Sequence, residues 1–129
     1  VIKAPVYVYA SREDHIVPWD AAYKNTQVLR GAKGKLRFVM GASGHIAGVI
    51  NAPAANKRSH WLREDGKYPA DVNDWIAGAK ESPGSWWTDW ADWLKSHAGK
   101  QIAAPAGYGR STKYKAIEPA PGRYVKAKA

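Results

Sequence analysis

Lys3-Ala-Pro-Val-Tyr-Val-Tyr-Ala10 and Lys35-Leu-Arg-Phe-Val-Met40 are the two stretches that decide the fold. The first is a β-branched and aromatic run of strand length, apolar on both faces as an interior strand of a covered sheet is, and the second is a further run of strand length. Pro5 is compatible with a strand start. Each run ends abruptly in a polar loop, Ser11-Arg-Glu-Asp-His15 after the first and Gly41-Ala-Ser-Gly-His45 after the second. Between them, Asp20 is placed to cap a helix over 20–30 that Gly31 stops, and a Gly/Lys turn at 31–35 leads into the second run. A helical crossover between two strands implies parallel pairing, so the expected class is α/β.

Outward from this unit, Ile46-Ala-Gly-Val-Ile50 is a short apolar turn, and Asn51 to Pro69, rich in Lys, Arg and Asn, reads as a surface excursion. Asp71 caps a short helix to Ala79. Ser85 caps the next, in which Trp86, Trp90, Trp93, Leu94 and His97 follow an i, i+4, i+7, i+8 pattern and Gly99 supplies the stop. Five of the seven tryptophans fall between 75 and 93, and their expected task is to hold these helices on the sheet. The other reading is an exposed surface for an apolar ligand or partner. From Ala98 onward Pro, Gly, Ala, Lys and Tyr dominate without periodicity, so the division expected is a domain over 1–97 and an extended basic tail over 98–129. Two parallel strands cannot cover themselves, and the first would present an open apolar edge of the kind natural proteins avoid. With no initiator Met, the chain is therefore expected to be the carboxyl-terminal part of a longer one whose other strands lie upstream.

The 129 residues and 45% apolar content suit one modest domain. No run of about 18 apolar residues occurs and no signal peptide opens the chain, so it is expected to be soluble and cytoplasmic. The absence of cysteine excludes disulfides, thiolate metal sites and a cysteine nucleophile within these residues. Twenty Lys and Arg against eleven Asp and Glu give a net charge of +9, which attracts polyanions. Seven basic residues against Glu118 alone place +6 of it beyond residue 97.

In parallel α/β sheets, catalytic groups sit in loops at the carboxyl ends of strands. Asp14 and His45 occupy two such loops, acid before histidine, in the order in which α/β-hydrolases place the last two members of a catalytic triad. The plainer alternative is a loop-capping Asp14 and a satisfied loop histidine. Ser43 stands in a sequence like the G-x-S-x-G elbow, but His45 replaces its last Gly, and two residues is too short for Ser43 and His45 to face each other; Ser43 is expected to shape the turn instead. His15, beside Asp14, reads as a supporting hydrogen-bonding or substrate-contacting residue. His15, His45, His60 and His97 lack any metal-ligand spacing, so no metal is expected. Tyr108, Arg110, Lys113, Tyr114, Lys115, Arg123 and Tyr124 interleave rings and positive charge as single-strand binders do, which leaves a small basic nucleic-acid-binding module as the alternative function, beside a merely solvated tail.

Several long motifs carry a more specific signal: Ser11-Arg-Glu-Asp-His-Ile-Val-Pro-Trp19, Gly41-Ala-Ser-Gly-His-Ile-Ala-Gly-Val-Ile-Asn51, Asn56-Lys-Arg-Ser-His-Trp61, Gly84-Ser-Trp-Trp87 and Glu118-Pro-Ala-Pro-Gly-Arg-Tyr-Val-Lys-Ala-Lys-Ala129. Together they resemble the carboxyl-terminal end of a class I poly(3-hydroxyalkanoate) synthase, over essentially the whole chain. Asn51-Ala-Pro53 departs from the Asn-Pro-Pro of that pattern. The resemblance implies the last two parallel strands of an α/β-hydrolase-like fold, with their connecting and following helices. It implies a cysteine, aspartate and histidine triad acting on (R)-3-hydroxyacyl-CoA thioesters, with Asp14 and His45 as the acid and histidine and the cysteine upstream, so that this segment alone is inactive. No cofactor is implied, since coenzyme A is part of the substrate and a product. The implied partners are the growing polyester chain, the surface and associated proteins of cytoplasmic polyester granules, and a second copy in a homodimer of the full-length enzyme; nucleic acid is not among them.

Overall fold

The computed structural model describes residues 2–29, 35–110 and 112–128. The helix end at Arg30 and the turn expected from Gly31 lie largely outside the described residues. The chain divides into two compact units, Val1–Ala98 and Gly99–Ala129.

The first unit is built on a sheet of β1 (Val6–Ser11), β2 (Leu36–Gly41), β3 (Ser59–Leu62) and β4 (Lys80–Pro83), in that spatial order. β1 and β2 pair in parallel from Val6 opposite Leu36 to Ser11 opposite Gly41, as their sequence pattern requires. The next two strands are a correction. The surface excursion expected over 51–69 contains β3, which runs antiparallel to β2, and β4 runs antiparallel to β3. β3 alternates its faces within four residues, placing buried Trp61 opposite Met40 and buried His60 opposite Gly41.

Alternation along β1 and β2 sorts the side chains into two layers. On one face Ala10, Phe38, Met40 and Trp61 meet Tyr23 of α1 (Trp19–Tyr23) and Trp75 of α3 (Val72–Ala77). The rings meet edge to face, Phe38 with Trp75 at 4.8 Å and 86°, and Tyr23 with Phe38 at 5.2 Å and 87°, an arrangement that aromatic quadrupoles favour. On the other face lies α4 (Trp87–His97). Its Asp89 accepts from the Tyr7 hydroxyl at 2.9 Å and from Arg37 Nε at 2.8 Å, and pairs with Arg37 through a second guanidinium nitrogen. Burial, reinforced by the Asp89 charge, pushes the Tyr7 hydroxyl far above its ordinary pKa. Trp86 stacks on Tyr9 at 4.2 Å and Trp93 meets Tyr7 edge-on at 5.3 Å. Helices on both faces cover the sheet.

The helices differ in detail from expectation. The single helix over 20–30 is two short pieces, α1 and α2 (Asn25–Val28), and Pro18 rather than Asp20 precedes the first. Pro is suited to that place because its fixed φ is compatible with the helix entry. Asp71 does cap α3, accepting from Asn73 N at 2.8 Å, and Ser85 Oγ accepts from Trp87 N at 3.0 Å. α4 ends at His97 through an extended Ala98, not through a left-handed Gly99. Its apolar stripe is only partly used: Trp86 is buried, whereas Trp90 is 38% and Leu94 42% exposed.

The second unit spans the stretch expected from its composition to be an extended basic tail. It holds a two-stranded antiparallel sheet, β5 (Gly109–Arg110) with β6 (Tyr114–Lys115), and a 3-10 turn at Tyr124–Lys126. Among the described residues no helix is long and apolar enough to cross a membrane.

Candidate active site

The loops that follow β1 and β2 remain joined by main-chain hydrogen bonds after the strands end. Arg12 N donates to Gly41 O at 2.8 Å and Glu13 N to Ser43 O at 3.1 Å, so parallel pairing in effect continues through the first turn of each loop. Gly41 leaves room for the Tyr9 ring: a Cβ there would lie 2.8 Å from its Cε2, so that the ring would have to shift. Ser43 adopts φ 81°, a left-handed conformation uncommon for a non-glycine residue, at the turn that presents His45.

This stitching brings Asp14 Oδ2 to 2.8 Å from His45 Nδ1. Asp14 Oδ1 accepts from Ile16 N and Val17 N, both at 2.9 Å. The Asp14 side chain is 9% exposed and that of His45 43%. Hydrogen bonding from the Val17 N–H, supported by His45 and the Ile16 N–H against a smaller opposing effect of desolvation, holds the Asp14 carboxyl down at about 2. An ionised carboxylate only accepts, so Nδ1 carries the proton that is donated to Asp14, which in the neutral tautomer leaves Nε2 as the nitrogen that can accept a proton. Among the described residues, Nε2 has no hydrogen-bond partner.

A cleft of about 220 Å³ lies at this pair, walled by Tyr9, Ala10, Ser11, Val17, Ala22 and Val49 as well as Asp14 and His45. Apart from Asp14 and His45 most of this wall is apolar, and the Tyr9 and Ser11 hydroxyls on it bond each other at 3.0 Å. Such a surface accepts an acyl or alkyl group more readily than a charged one. The Asp14 and His45 picked out by their strand-end positions therefore meet. His15, the third residue selected, is exposed, does not line the cleft, and has no hydrogen bond or ion pair among the described residues.

Other contributors escaped the sequence reading. Trp86 and Trp87, grouped there as packing residues, send their indole nitrogens to the turn after His45, and Arg58 reaches the same turn. Backbone donors at Ile16 and Val17 were likewise invisible, since their role depends on loop shape and not on side-chain identity. Buried His60 belongs elsewhere; its Nδ1 lies 3.2 Å from Gly84 O, between β3 and the start of α4. Among the described residues no group of three or more acidic or histidine side chains could hold a metal ion.

No protein-family model matches the chain. Over 128 residues, 99% of its length, it is 62% identical to the poly(3-hydroxyalkanoate) polymerase subunit PhaC of Cupriavidus necator. It is 40% identical over 124 residues to the subunit of the same name from Rhizobium etli, and 38% identical over 128 residues to the poly(3-hydroxyalkanoate) polymerase of Methylorubrum extorquens. The chain spans about a fifth of the length of these relatives, 21%, 18% and 20% respectively.

Proposed function

We propose that this chain is a segment of a poly(3-hydroxyalkanoate) polymerase with an α/β-hydrolase-like catalytic domain, and that it supplies the acid and the histidine of that enzyme's triad. The observation that carries the proposal is the 2.8 Å contact between Asp14 and His45 at the ends of adjacent parallel strands, in a chain 62% identical to such a polymerase. The nucleophile is a cysteine outside these residues, which contain none.

His45 Nε2 takes the cysteine proton, and the thiolate attacks the carbonyl carbon of a (R)-3-hydroxyacyl-CoA. The bond from that carbon to the coenzyme A sulfur breaks, and the departing thiolate recovers the proton from the imidazolium. An acyl-enzyme remains. Asp14, ionised throughout, holds the imidazole in the required tautomer and stabilises its charged form. Chain growth then needs a 3-hydroxyl to attack an acyl thioester, and a carboxylate or imidazole within reach serves as its base. The apolar wall of the cleft suits the hydrocarbon part of such units. The reaction takes place at the surface of cytoplasmic polyester granules.

The test is coenzyme A release from 3-hydroxybutyryl-CoA. In the full-length polymerase His45→Ala is expected to lower the rate by several orders of magnitude, and the 129-residue chain alone to release none above background. Near-normal turnover of the variant removes His45 from the triad; robust release by the chain alone contradicts an external nucleophile.

A further inference from the structure

The turn after His45 is held by side chains from distant parts of the unit. It winds once, with Gly48 N donating to Gly44 O at 2.8 Å and Ile50 N to Ile46 O at 2.9 Å. So short a helical turn leaves its last carbonyls without main-chain donors. Each of three consecutive ones receives a side chain: Arg58 Nη1 donates to Ala47 O at 2.6 Å, Trp86 Nε1 to Gly48 O at 3.0 Å, and Trp87 Nε1 to Val49 O at 2.9 Å. Trp86 also stacks on Tyr9 of β1, the strand that leads into the Asp14 loop. One indole thus touches the supports of both the acid and the histidine.

Burial alone explains Trp86, which is 7% exposed. It does not explain Arg58, which is exposed yet directs its guanidinium at a carbonyl, or the half-buried Trp87, whose nitrogen takes the next carbonyl but one. The common property of the three is an N–H with no acceptor capacity, aimed at successive carbonyls of one turn.

We propose that Trp86, Trp87 and Arg58 are positioning residues for His45: they fix the turn so that Nδ1 stays on Asp14 and Nε2 stays basic. Its consequence for catalysis rests on the polymerase reading above, but its effect on the imidazole does not. Trp86→Phe and Trp87→Phe keep a ring and remove the N–H, and Arg58→Met removes the guanidinium from an exposed position where folding is not at stake. Nitrogen-15 spectra of His45 in the 129-residue chain report which ring nitrogen carries the proton. The parent chain is expected to show the Nδ1-protonated form, and each variant an increased share of the other tautomer, greatest in the Trp86→Phe/Trp87→Phe double variant. Trp90→Phe, which keeps a ring against Trp86 at 5.7 Å and removes an indole nitrogen that donates to no carbonyl of the turn, is expected to leave the ratio unchanged.

In the full-length polymerase, the double variant is expected to lose roughly tenfold to hundredfold in kcat with KM little changed, the scale of a small misplacement of a catalytic group. An unchanged tautomer ratio in Arg58→Met and in the folded double variant overturns the proposal, whatever happens to thermal stability. A shifted ratio accompanied by unimpaired turnover of His45→Ala leaves the positioning role standing and removes the polymerase role of His45.

Discussion

Replacing Asp14 by Asn isolates one of the two jobs its carboxylate does. The amide oxygen can still accept from Ile16 N and Val17 N at 2.9 Å, so the loop keeps its shape. The other oxygen becomes an NH2, which meets the Nδ1–H of His45 donor to donor at a place where the parent contact is 2.8 Å. The ring relieves this by moving its proton to Nε2, and the basic nitrogen then faces the amide instead of the nucleophile. Wrong-tautomer substitutions of this kind in a serine triad cost about 10⁴ in kcat. Because His45 is 43% exposed and water competes for both nitrogens, about 10³ to 10⁴ is expected here, in kcat and not in KM. Under the proposed polymerase function, the assay is coenzyme A release by the full-length enzyme, read both as a single acylation event and as steady elongation, beside a thermal melt that checks the fold. Acylation and elongation should slow together. A loss below tenfold in acylation, with the tautomer demonstrably switched, refutes the orienting role; loss confined to elongation moves Asp14 to activation of the substrate hydroxyl.

The remaining predictions concern acid titration and the core. Asp14 sits at about 2 in the fold against about 3.9 in an unfolded chain, so the stability it contributes is present above pH 4 and is lost as pH falls through about 2. Carbon-13 titration of its carboxyl is expected to give a midpoint near 2, and a midpoint near 4 contradicts the hydrogen bond from Val17. Trp75 is fully buried and its Nε1 has no partner among the described residues. Trp75→Phe exchanges an unsatisfied N–H, a penalty of about 1–3 kcal/mol, for a small cavity costing about 1 kcal/mol, and is expected to be neutral to stabilising in urea denaturation. Trp75→Ala is expected to lose about 3–5 kcal/mol, and a comparable loss in the Phe variant would mean that the indole nitrogen is satisfied.

The two parallel strands were legible because Val6 to Ala10 and Leu36 to Met40 are apolar where a covered strand must be, and the meeting of Asp14 with His45 was legible because both stand just beyond the strand ends. β3 and β4 were not. Ser59-His-Trp-Leu62 is too short to establish a period and lies among charged residues, and Lys80-Glu-Ser-Pro83 is an edge strand whose charges and proline blunt exposed pairing groups. The helix over 20–30 was overextended because propensity does not register the break after Tyr23. The indole clamp was hidden for another reason. An i, i+4, i+7 spacing identifies a helix face, but whether an indole nitrogen on it finds a carbonyl 38 residues away depends on how that face is docked.

The main-chain bonds from Arg12 to Gly41 and from Glu13 to Ser43 have an evolutionary consequence. They set the spacing of acid and base with groups that every non-proline residue possesses, so most side chains at Arg12, Glu13 and Ala42 can change without separating Asp14 from His45. The strand-end spacing of the two loops is therefore insulated from the side chains at those three positions, while the turn that presents His45 still takes side-chain donors from Arg58, Trp86 and Trp87. Substitutions at those positions can retune charge and shape around the cleft while the distance between Asp14 and His45 is inherited intact.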